Sequence, residues 1–298
     1  MATLFVRASS MFCGRIESFP WRLCAALVLA APRLVTAEDS TGPASGGATN
    51  VSSFATPFTR YLSTYEPIYF LVGTYPAAEF QFSLKYQVFA FTNHSARLLT
   101  NFYLAYTQTS FWDLLSSDPS FYDTSYKPSA FFYFPDVLDV GNKNPVRLDL
   151  QAGIEHESNG RGGAGERSLY TTYLQPSVTF VQPCGLQLSL CPRAWAYVID
   201  VSRNNPDIAN YRGYADLLGT LSWKSPHNPD QYYKLAVTYG MGDDGGHSSL
   251  KFDLSVTVLP WIRFTPRIHV QYFTGYGQTL RQYNARSHGL RAGISLYD

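Results

Sequence analysis

The chain has 298 residues, a formal net charge of +1 and only 15% charged residues, so it lacks the concentrated positive charge of a nucleic-acid-binding protein. Its mean hydropathy is −0.13, and beyond the N-terminus no apolar run approaches the ~20 residues that a transmembrane helix needs. Aromatic residues reach 16% of the sequence, with 22 Tyr and 20 Phe, which favours a membrane β-barrel with aromatic girdles over a globular all-β protein.

The N-terminus has the pattern of a secretory signal peptide, which we predict over residues 1–37. Basic residues precede the apolar stretch 23–31, and Val35-Thr36-Ala37 supplies small residues for cleavage. A signal anchor that stays attached is the alternative, and the sequence leaves open whether Met1 or Met11 is the start. Residues 38–63 are rich in Ser, Thr, Gly and Ala, which predicts a flexible N-terminal segment.

From about residue 64, one segment after another alternates between apolar and polar residues. In residues 146–155 the apolar residues occupy the even positions and the polar residues most of the odd ones, as in a strand with two unlike faces. About twelve such segments lie between Tyr65 and Tyr297, each near the ~10 residues of a tilted membrane strand. Charged side chains occupy the faces that would line the interior. We therefore predict an all-β fold over residues 64–298, a twelve-stranded antiparallel transmembrane β-barrel of the outer-membrane type.

Two cysteines remain once the signal peptide is removed. Cys184 and Cys191 are seven residues apart, and the compartment outside the cytoplasm is oxidising. A disulfide that staples a turn is the prediction, and two free thiols are the alternative. A zinc site would need more ligands than this pair offers.

The apolar face of residues 146–155 continues into His156 and Ser158, which places a base and a nucleophile on the side of the barrel that faces lipid. Their Cβ atoms are about 7 Å apart on one strand, so the side chains can lean together, and a histidine base can activate a serine hydroxyl. A Ser–His pair facing lipid suggests an enzyme that acts on lipid. A His-x-Ser pair alone also fits two polar residues at a strand end near the lipid headgroups.

A glycine-rich stretch, residues 159–166, follows the pair directly. Such a loop can direct main-chain amides toward an oxyanion, or carbonyl groups toward a hard cation, although a flexible loop is the commoner explanation. The next strand begins at Ser168, and its alternation places Tyr170 on the outer face, across the hairpin from the pair.

Several ordered motifs at compatible spacing resemble the outer membrane phospholipase A family over most of the chain from about residue 65. The motifs are Gly153-Ile154-Glu155-His156-Glu157-Ser158-Asn159-Gly160-Arg161 with Arg167-Ser168; Asn205-Pro206-Asp207-Ile208 with Tyr211 and Gly213-Tyr214; Gly275-Tyr276-Gly277-Gln278-Thr279-Leu280 with Tyr283-Asn284; and Thr107-Gln108 with Trp112, Thr124, Tyr126 and Pro128.

The resemblance implies a twelve-stranded barrel that hydrolyses phospholipid acyl esters with a Ser–His–Asn triad on its outer surface, requires Ca²⁺ and acts as a homodimer. By the same resemblance, Ser158 is the nucleophile, His156 the general base and the Gly160 amide an oxyanion donor. The implied calcium ligands are the Ser120 hydroxyl, the Arg161 carbonyl and the Glu166 side chain. Gln108 matches a polar residue at the family's dimer interface.

This sequence departs from the family pattern at Tyr170, which stands where the family has the triad asparagine. The asparagine carbonyl accepts the imidazole N–H and fixes its tautomer. A phenol oxygen can also accept, but it lies farther from the backbone. A second departure is Glu166, where a hydroxyl residue is commoner and a carboxylate can bind calcium more strongly.

The predicted function is that of a calcium-dependent phospholipase of the bacterial outer membrane, with phospholipid as substrate and Tyr170 in place of the asparagine. The first alternative is a catalytically weak or inactive barrel with a structural or binding role, which Tyr170 alone supports. The second is a porin, although long charged side chains inside about twelve strands should largely fill the lumen.

Overall fold

The computed structural model describes residues 60–91, 97–137, 145–198, 204–227, 231–243, 245–257 and 266–297. The predicted signal peptide, and residues 38–59 of the predicted flexible segment, lie outside the described residues. Within them, no helix is long and apolar enough to cross a membrane.

Thirteen antiparallel strands and two short α-helices make up the described part of the chain. The strands are β1 (Leu62–Thr64), β2 (Ile68–Gly73), β3 (Ala78–Gln87), β4 (Phe102–Asp113), β5 (Ser120–Phe134), β6 (Val146–Ser158), β7 (Ser168–Val181), β8 (Leu186–Tyr197), β9 (Ala215–Lys224), β10 (Tyr232–Met241), β11 (Ser248–Thr257), β12 (Arg267–Gly275) and β13 (Ser287–Tyr297). The helices are α1 (Arg97–Thr100) and α2 (Ile208–Arg212), and a 3₁₀ turn covers Gly163–Gly165.

The sheet closes on itself as a barrel whose wall is twelve strands wide. Each strand from β2 to β13 pairs with the next, β13 pairs with β2, and β3 pairs with β4. β1 pairs with the far half of β3 while β2 pairs with its near half, so β1 and β2 are two pieces of one wall strand. The predicted twelve-stranded antiparallel barrel is therefore confirmed. Its first strand begins at Leu62, so residues 62 and 63 belong to the wall and not to the predicted flexible segment.

The alternation in the sequence becomes the two faces of the wall. Outward-facing Ile154 and Leu290 are 59% and 53% exposed, whereas inward-facing Arg291 and Gln271 are each 1% exposed. Buried charges of this kind must be paired, and Arg291 lies 3.3 Å from a carboxylate oxygen of Glu79. An apolar outside around a polar, ion-paired inside is the inverse of a small soluble barrel.

Aromatic side chains fill the barrel interior at the end opposite the predicted site. Lys85 Nζ lies 5.5–5.8 Å from the ring centroids of Tyr65, Tyr103 and Tyr133, close enough for cation–π attraction. The Phe131 ring, 1% exposed, stacks on Tyr65 and on Tyr103. The interior at this end is packed with side chains, which argues against the wide lumen of a porin.

Four connections at the other end of the barrel contain most of the predicted site. They follow β4, β6, β8 and β12, whose last residues all lie at the same rim because the strands alternate in direction. These connections cover residues 114–119, 159–167, 198–214 and 276–286. A cavity of about 300 Å³ lies inside the barrel and is lined by Glu157, Arg212 and Leu280, among others.

The predicted disulfide between Cys184 and Cys191 is wrong, because Cys191 carries a free thiol. Cys184 lies in the turn before β8, whereas Cys191 lies well inside β8, where its sulfur accepts a hydrogen bond from Gln175 (3.2 Å). At about 3.3 Å per residue, the five steps from Leu186 to Cys191 span roughly 16 Å, and Cys184 lies at the Leu186 end of that span. A disulfide joins Cα atoms at most about 7 Å apart.

Candidate functional site

The hairpin of β6 and β7 places the predicted catalytic residues on the outer face of the wall, at its rim. His156 pairs with Tyr170, and Ser158 pairs with Ser168 at the end of both strands. Since Ile154 on the same face is among the most exposed apolar residues, His156 and Ser158 lie on the outer face of the wall.

The amide of Gly160 contacts the predicted nucleophile. It donates a hydrogen bond to Ser158 Oγ (3.1 Å). Gly160 has a φ of +67°, which favours glycine, and an added Cβ would lie 2.7 Å from Cε2 of Tyr126, so a larger residue would also displace that ring. A main-chain amide beside the serine oxygen has the placement of an oxyanion donor.

His156 is oriented by a main-chain carbonyl. Its Nδ1 lies 3.1 Å from the carbonyl oxygen of Leu169. A carbonyl oxygen only accepts, so Nδ1 donates in this contact, and in the neutral imidazole Nε2 is then the nitrogen that can take a proton. Sequence reasoning missed Leu169, since a main-chain acceptor leaves no side-chain pattern.

Tyr170 stacks against His156 through its ring. The two ring centroids are 4.2 Å apart and the planes make an angle of 30°. Within the described residues the Tyr170 hydroxyl makes no hydrogen bond, and none joins His156 to Ser158. Tyr170 therefore contacts the imidazole face, while the position of the N–H acceptor is held by Leu169.

Asn159 organises the glycine-rich loop. Its Oδ1 accepts hydrogen bonds from the amides of Arg161 (3.2 Å) and Arg167 (3.1 Å), and its Nδ2 donates to the Gly165 carbonyl (2.9 Å). The side chain is 4% exposed, so these bonds replace water. Side-chain to main-chain hydrogen bonds therefore hold the loop in a defined conformation. Its signal in the sequence was an asparagine, a residue that commonly bonds to nearby backbone.

On the inner side of the same strand, Glu157 is hydrogen-bonded to the connection after β8 and to strand β5. Its carboxylate accepts from Arg212 (2.7 Å) and from the Ser125 hydroxyl (2.6 Å). Arg212, the last residue of α2, also donates to the Gly277 carbonyl (3.2 Å). The strand end that contains His156 and Ser158 is therefore tied through the wall to residues 208–212 and 276–286.

The connection after β8 packs onto the start of β7. Asn205 is fully buried and donates from Nδ2 to the Ser168 carbonyl (2.6 Å). Asp207 accepts a hydrogen bond from the Tyr283 hydroxyl (2.5 Å), and burial together with this bond raises the pKa of Tyr283 to about 12. Leu169 joins an apolar cluster with Ile208, Leu280 and Tyr283. These contacts bring sequence motifs that are far apart in the chain next to one another in the structure.

The predicted calcium ligands lie around the same loop. Glu166 accepts a hydrogen bond from Asn204 through one oxygen (3.0 Å), and Ser120 precedes Phe121, whose carbonyl accepts from the Arg161 side chain (3.3 Å). In the part of the chain that the structure describes, no group of three His, Cys, Asp or Glu forms a metal cluster. The carbonyl of Arg161 and the second oxygen of Glu166 accept no hydrogen bond there. A carboxylate, a carbonyl and a hydroxyl are the oxygen donors that suit calcium, which takes six to eight.

Comparison with known proteins identifies the family. The family model for phospholipase A1 matches residues 61–296. Phospholipase A1 of Escherichia coli K12 and phospholipase A1 of Salmonella typhimurium are each 27% identical to this chain over 210 residues, which is 65% of this chain and 61% of theirs. The chain thus matches about three fifths of the length of these relatives.

Solved structures have the same fold. An outer membrane phospholipase dimer of Salmonella typhi with bound calcium has a TM-score of 0.62 at 23% identity, covering 80% of this chain and 92% of that one. Outer membrane phospholipase A of Escherichia coli has a TM-score of 0.61 at 24% identity, covering 80% and 98%. This chain is a β-barrel of the bacterial outer membrane, and it belongs to the phospholipase A1 family.

Proposed function

We propose that this protein is a calcium-dependent phospholipase that hydrolyses acyl esters of phospholipids and lysophospholipids at Ser158. The observation that carries the proposal is the placement of Ser158 Oγ beside the Gly160 amide, on the lipid-facing side of a strand that also presents His156. A structural barrel gains nothing from a serine, a histidine and a glycine in the left-handed conformation on its apolar face.

In the proposed reaction Ser158 Oγ attacks the ester carbonyl while Nε2 of His156 takes the hydroxyl proton. The Gly160 amide donates to the oxyanion of the tetrahedral intermediate. When the carbon–oxygen bond to glycerol breaks, His156 returns the proton to the leaving alcohol. Water, deprotonated by His156, then attacks the acyl–Ser158 ester and releases the fatty acid and the free serine.

The third member of the proposed catalytic group is the Leu169 carbonyl rather than the Tyr170 hydroxyl. The acceptor at Nδ1 keeps Nε2 free to take the serine proton and stabilises the imidazolium that forms. Tyr170 contributes its ring, which covers one face of the imidazole at 4.2 Å and restricts its rotation. This assignment removes the main support for an inactive barrel, since the missing asparagine leaves no role unfilled.

Calcium is proposed to bind beside the Gly160 loop, held by the Arg161 carbonyl, the Glu166 carboxylate and the Ser120 hydroxyl. Bound there, the ion would supply positive charge that stabilises the oxyanion. Three protein oxygens are fewer than calcium takes, so water or a second copy of the chain completes the shell. A calcium-bound dimer is known for the Salmonella typhi protein, which supports a homodimer here.

The test is fatty-acid release from mixed micelles by the refolded chain, with calcium, with a chelator, and as Ser158→Ala. Ser168→Ala is the matched control, because Ser168 pairs with Ser158 directly across the hairpin. We expect activity in the unaltered chain and in the control, and a loss of at least a thousandfold in Ser158→Ala. Equal activity in Ser158→Ala would refute the assignment of the nucleophile, and activity unchanged by the chelator would refute the role of calcium.

A further inference from the structure

Two arginine side chains from different loops meet at one main-chain oxygen beside the proposed active site. In the ladder of β4 and β5, Phe111 pairs with Asp123 and Trp112 pairs with Phe121, so Tyr122 is the extra residue of a β-bulge. The carbonyl of Tyr122 accepts from Nη2 of Arg161 (2.9 Å) and from Nη1 of Arg281 (3.0 Å).

This geometry holds two positive groups close together. Since both nitrogens contact the same oxygen, they lie within about 6 Å of each other, where like charges repel. The Arg281 guanidinium is also fixed over the Tyr122 ring at 5.0 Å. Both side chains are exposed, and neither forms an ion pair with any residue that the structure describes.

Asp123 attracts Arg161 electrostatically through space, but within the described residues it forms no ion pair with either arginine. It accepts a hydrogen bond from the main-chain amide of Arg281 (2.8 Å), but its side chain is 2% exposed and lines the cavity inside the barrel. The two guanidinium groups lie on the exposed side of the rim. Each guanidinium uses only some of its five N–H donors on the carbonyl oxygens of β5, so further donors remain available for a ligand.

The pair lies on the rim side of Ser158, the side on which a bound lipid would hold its headgroup. Arg161 follows Ser158 by three residues in the loop that Asn159 organises. On β5, Tyr126 pairs with Ser158, and Tyr122 lies four residues nearer the rim, or about 13 Å along the strand. A glycerophospholipid carries its phosphate a few bonds from its acyl esters, on the side toward water. A substrate whose ester reaches Ser158 therefore directs its phosphate toward the rim, where the arginines lie.

We propose that Arg161 and Arg281 bind the phosphodiester of the phospholipid substrate. Guanidinium groups match phosphate oxygens in geometry and charge, and a phosphate between two of them relieves their mutual repulsion. This inference rests on the proposed function and adds to it a preference for esters that carry a phosphate near the cleaved bond.

The experiment compares two substrates in micelles of a neutral detergent with calcium present, a phosphatidylethanolamine and a monoacylglycerol with the same acyl chain and no phosphate. Arg281→Gln is the test variant. Arg286→Gln is the matched control, because Arg286 is exposed on the same connection and makes no hydrogen bond or ion pair within the described residues. We expect the ratio of kcat/KM for the phospholipid to kcat/KM for the monoacylglycerol to fall about tenfold in Arg281→Gln, mainly through KM, and to stay constant in Arg286→Gln.

The alternatives give different results. An equal loss on both substrates would mean that Arg281 only holds the bulge, and an unchanged ratio would mean that no phosphate binds; either overturns the inference. Inorganic phosphate that competes as well as a lipid phosphate would point to a free anion site and overturn the substrate assignment. Heat-dependent gel migration checks that the variants fold, and Arg161→Gln repeats the test from the other loop. Activity on the monoacylglycerol tests the proposed hydrolase separately.

Discussion

A single main-chain oxygen replaces a side chain in the proposed catalytic group. Leu169 pairs with Glu157, the residue between His156 and Ser158, so its carbonyl is positioned by the strand ladder itself. Its side chain is 4% exposed and packs among the loops, which fixes the carbonyl further. The residue at position 170 is then free to be aromatic, since it no longer has to accept a hydrogen bond.

This arrangement predicts the behaviour of two substitutions at Tyr170. Tyr170→Phe keeps the ring and loses only a hydroxyl that makes no hydrogen bond within the described residues, so fatty-acid release should stay within about twofold of the unaltered chain. Tyr170→Ala removes the ring that restricts the imidazole, so kcat should fall at least tenfold, in the range that loss of positioning costs. If Tyr170→Phe were as slow as Tyr170→Ala, the hydroxyl rather than the ring would be the functional group.

At the scale of elements, an ion pair on the inner side of the wall fixes the strand end that contains the proposed nucleophile. Two inward glutamates of β6 each pair with an arginine: Glu157 with Arg212 at 2.7 Å, and Glu155 with Arg193 at 3.0 Å. The pairs are alike in burial, with 21% and 22% of the arginine side chains exposed. Only Arg212 belongs to the loops around the site.

These two pairs make a matched comparison. Arg212→Met and Arg193→Met each leave a buried carboxylate unpaired, so both should lower the free energy of unfolding by several kcal/mol, with about 3–5 kcal/mol as the upper range for full burial. Only Arg212→Met should lower the activity of the folded protein, by at least tenfold, because it frees α2 and the Gly277 carbonyl. Urea unfolding and fatty-acid release measure the two effects. Equal activity losses would show that stability, rather than site geometry, is responsible.

At the scale of the whole molecule, a ladder of hydrogen-bonded polar side chains lies on the outward face of β4 and β5, within a mostly apolar outer surface. The Tyr106 hydroxyl donates to Gln108 (2.9 Å), Gln108 donates to Ser110 (3.1 Å), and Thr124 donates to Ser110 (3.1 Å). Polar groups that face lipid are unfavourable unless they find partners. The members of the ladder already bond to one another and Ser110 is buried, so what a second copy of the chain would use is the remaining hydrogen-bonding capacity of the Gln108 amide.

The ladder predicts a weaker dimer in Gln108→Leu. Polar contacts between membrane segments contribute about 1 kcal/mol each, so the dimer dissociation constant should rise roughly fivefold. Thr172→Leu makes a similar change on the outer face of β7 and should leave association unchanged. Sedimentation equilibrium in detergent with calcium measures both variants. A dimer as stable in Gln108→Leu as in the unaltered chain would place the interface elsewhere.

The extent to which the sequence predicts this molecule differs between the wall and the loops. The wall was predictable because one face of each strand meets lipid and the other meets charged side chains. Apolar and polar residues therefore alternate along the strands, as in residues 146–155. The disulfide prediction failed because a spacing of seven residues says nothing about where a strand begins. The Leu169 carbonyl and the meeting of Arg161 with Arg281 were not predictable, since the first has no side-chain pattern and the second joins residues 120 positions apart.

The sideways orientation of His156 and Ser158 has a kinetic consequence. Their side chains leave the wall in the plane of the membrane, at one rim, so a substrate of the proposed enzyme would reach them by lateral diffusion within a single leaflet. The encounter takes place in two dimensions. The rate then depends on the mole fraction of substrate lipid in the surface. It does not depend on the bulk concentration of that lipid in solution. Diluting the substrate with inert detergent should slow the reaction even when its bulk concentration stays constant, and the lipids of the opposite leaflet stay intact until they cross the membrane.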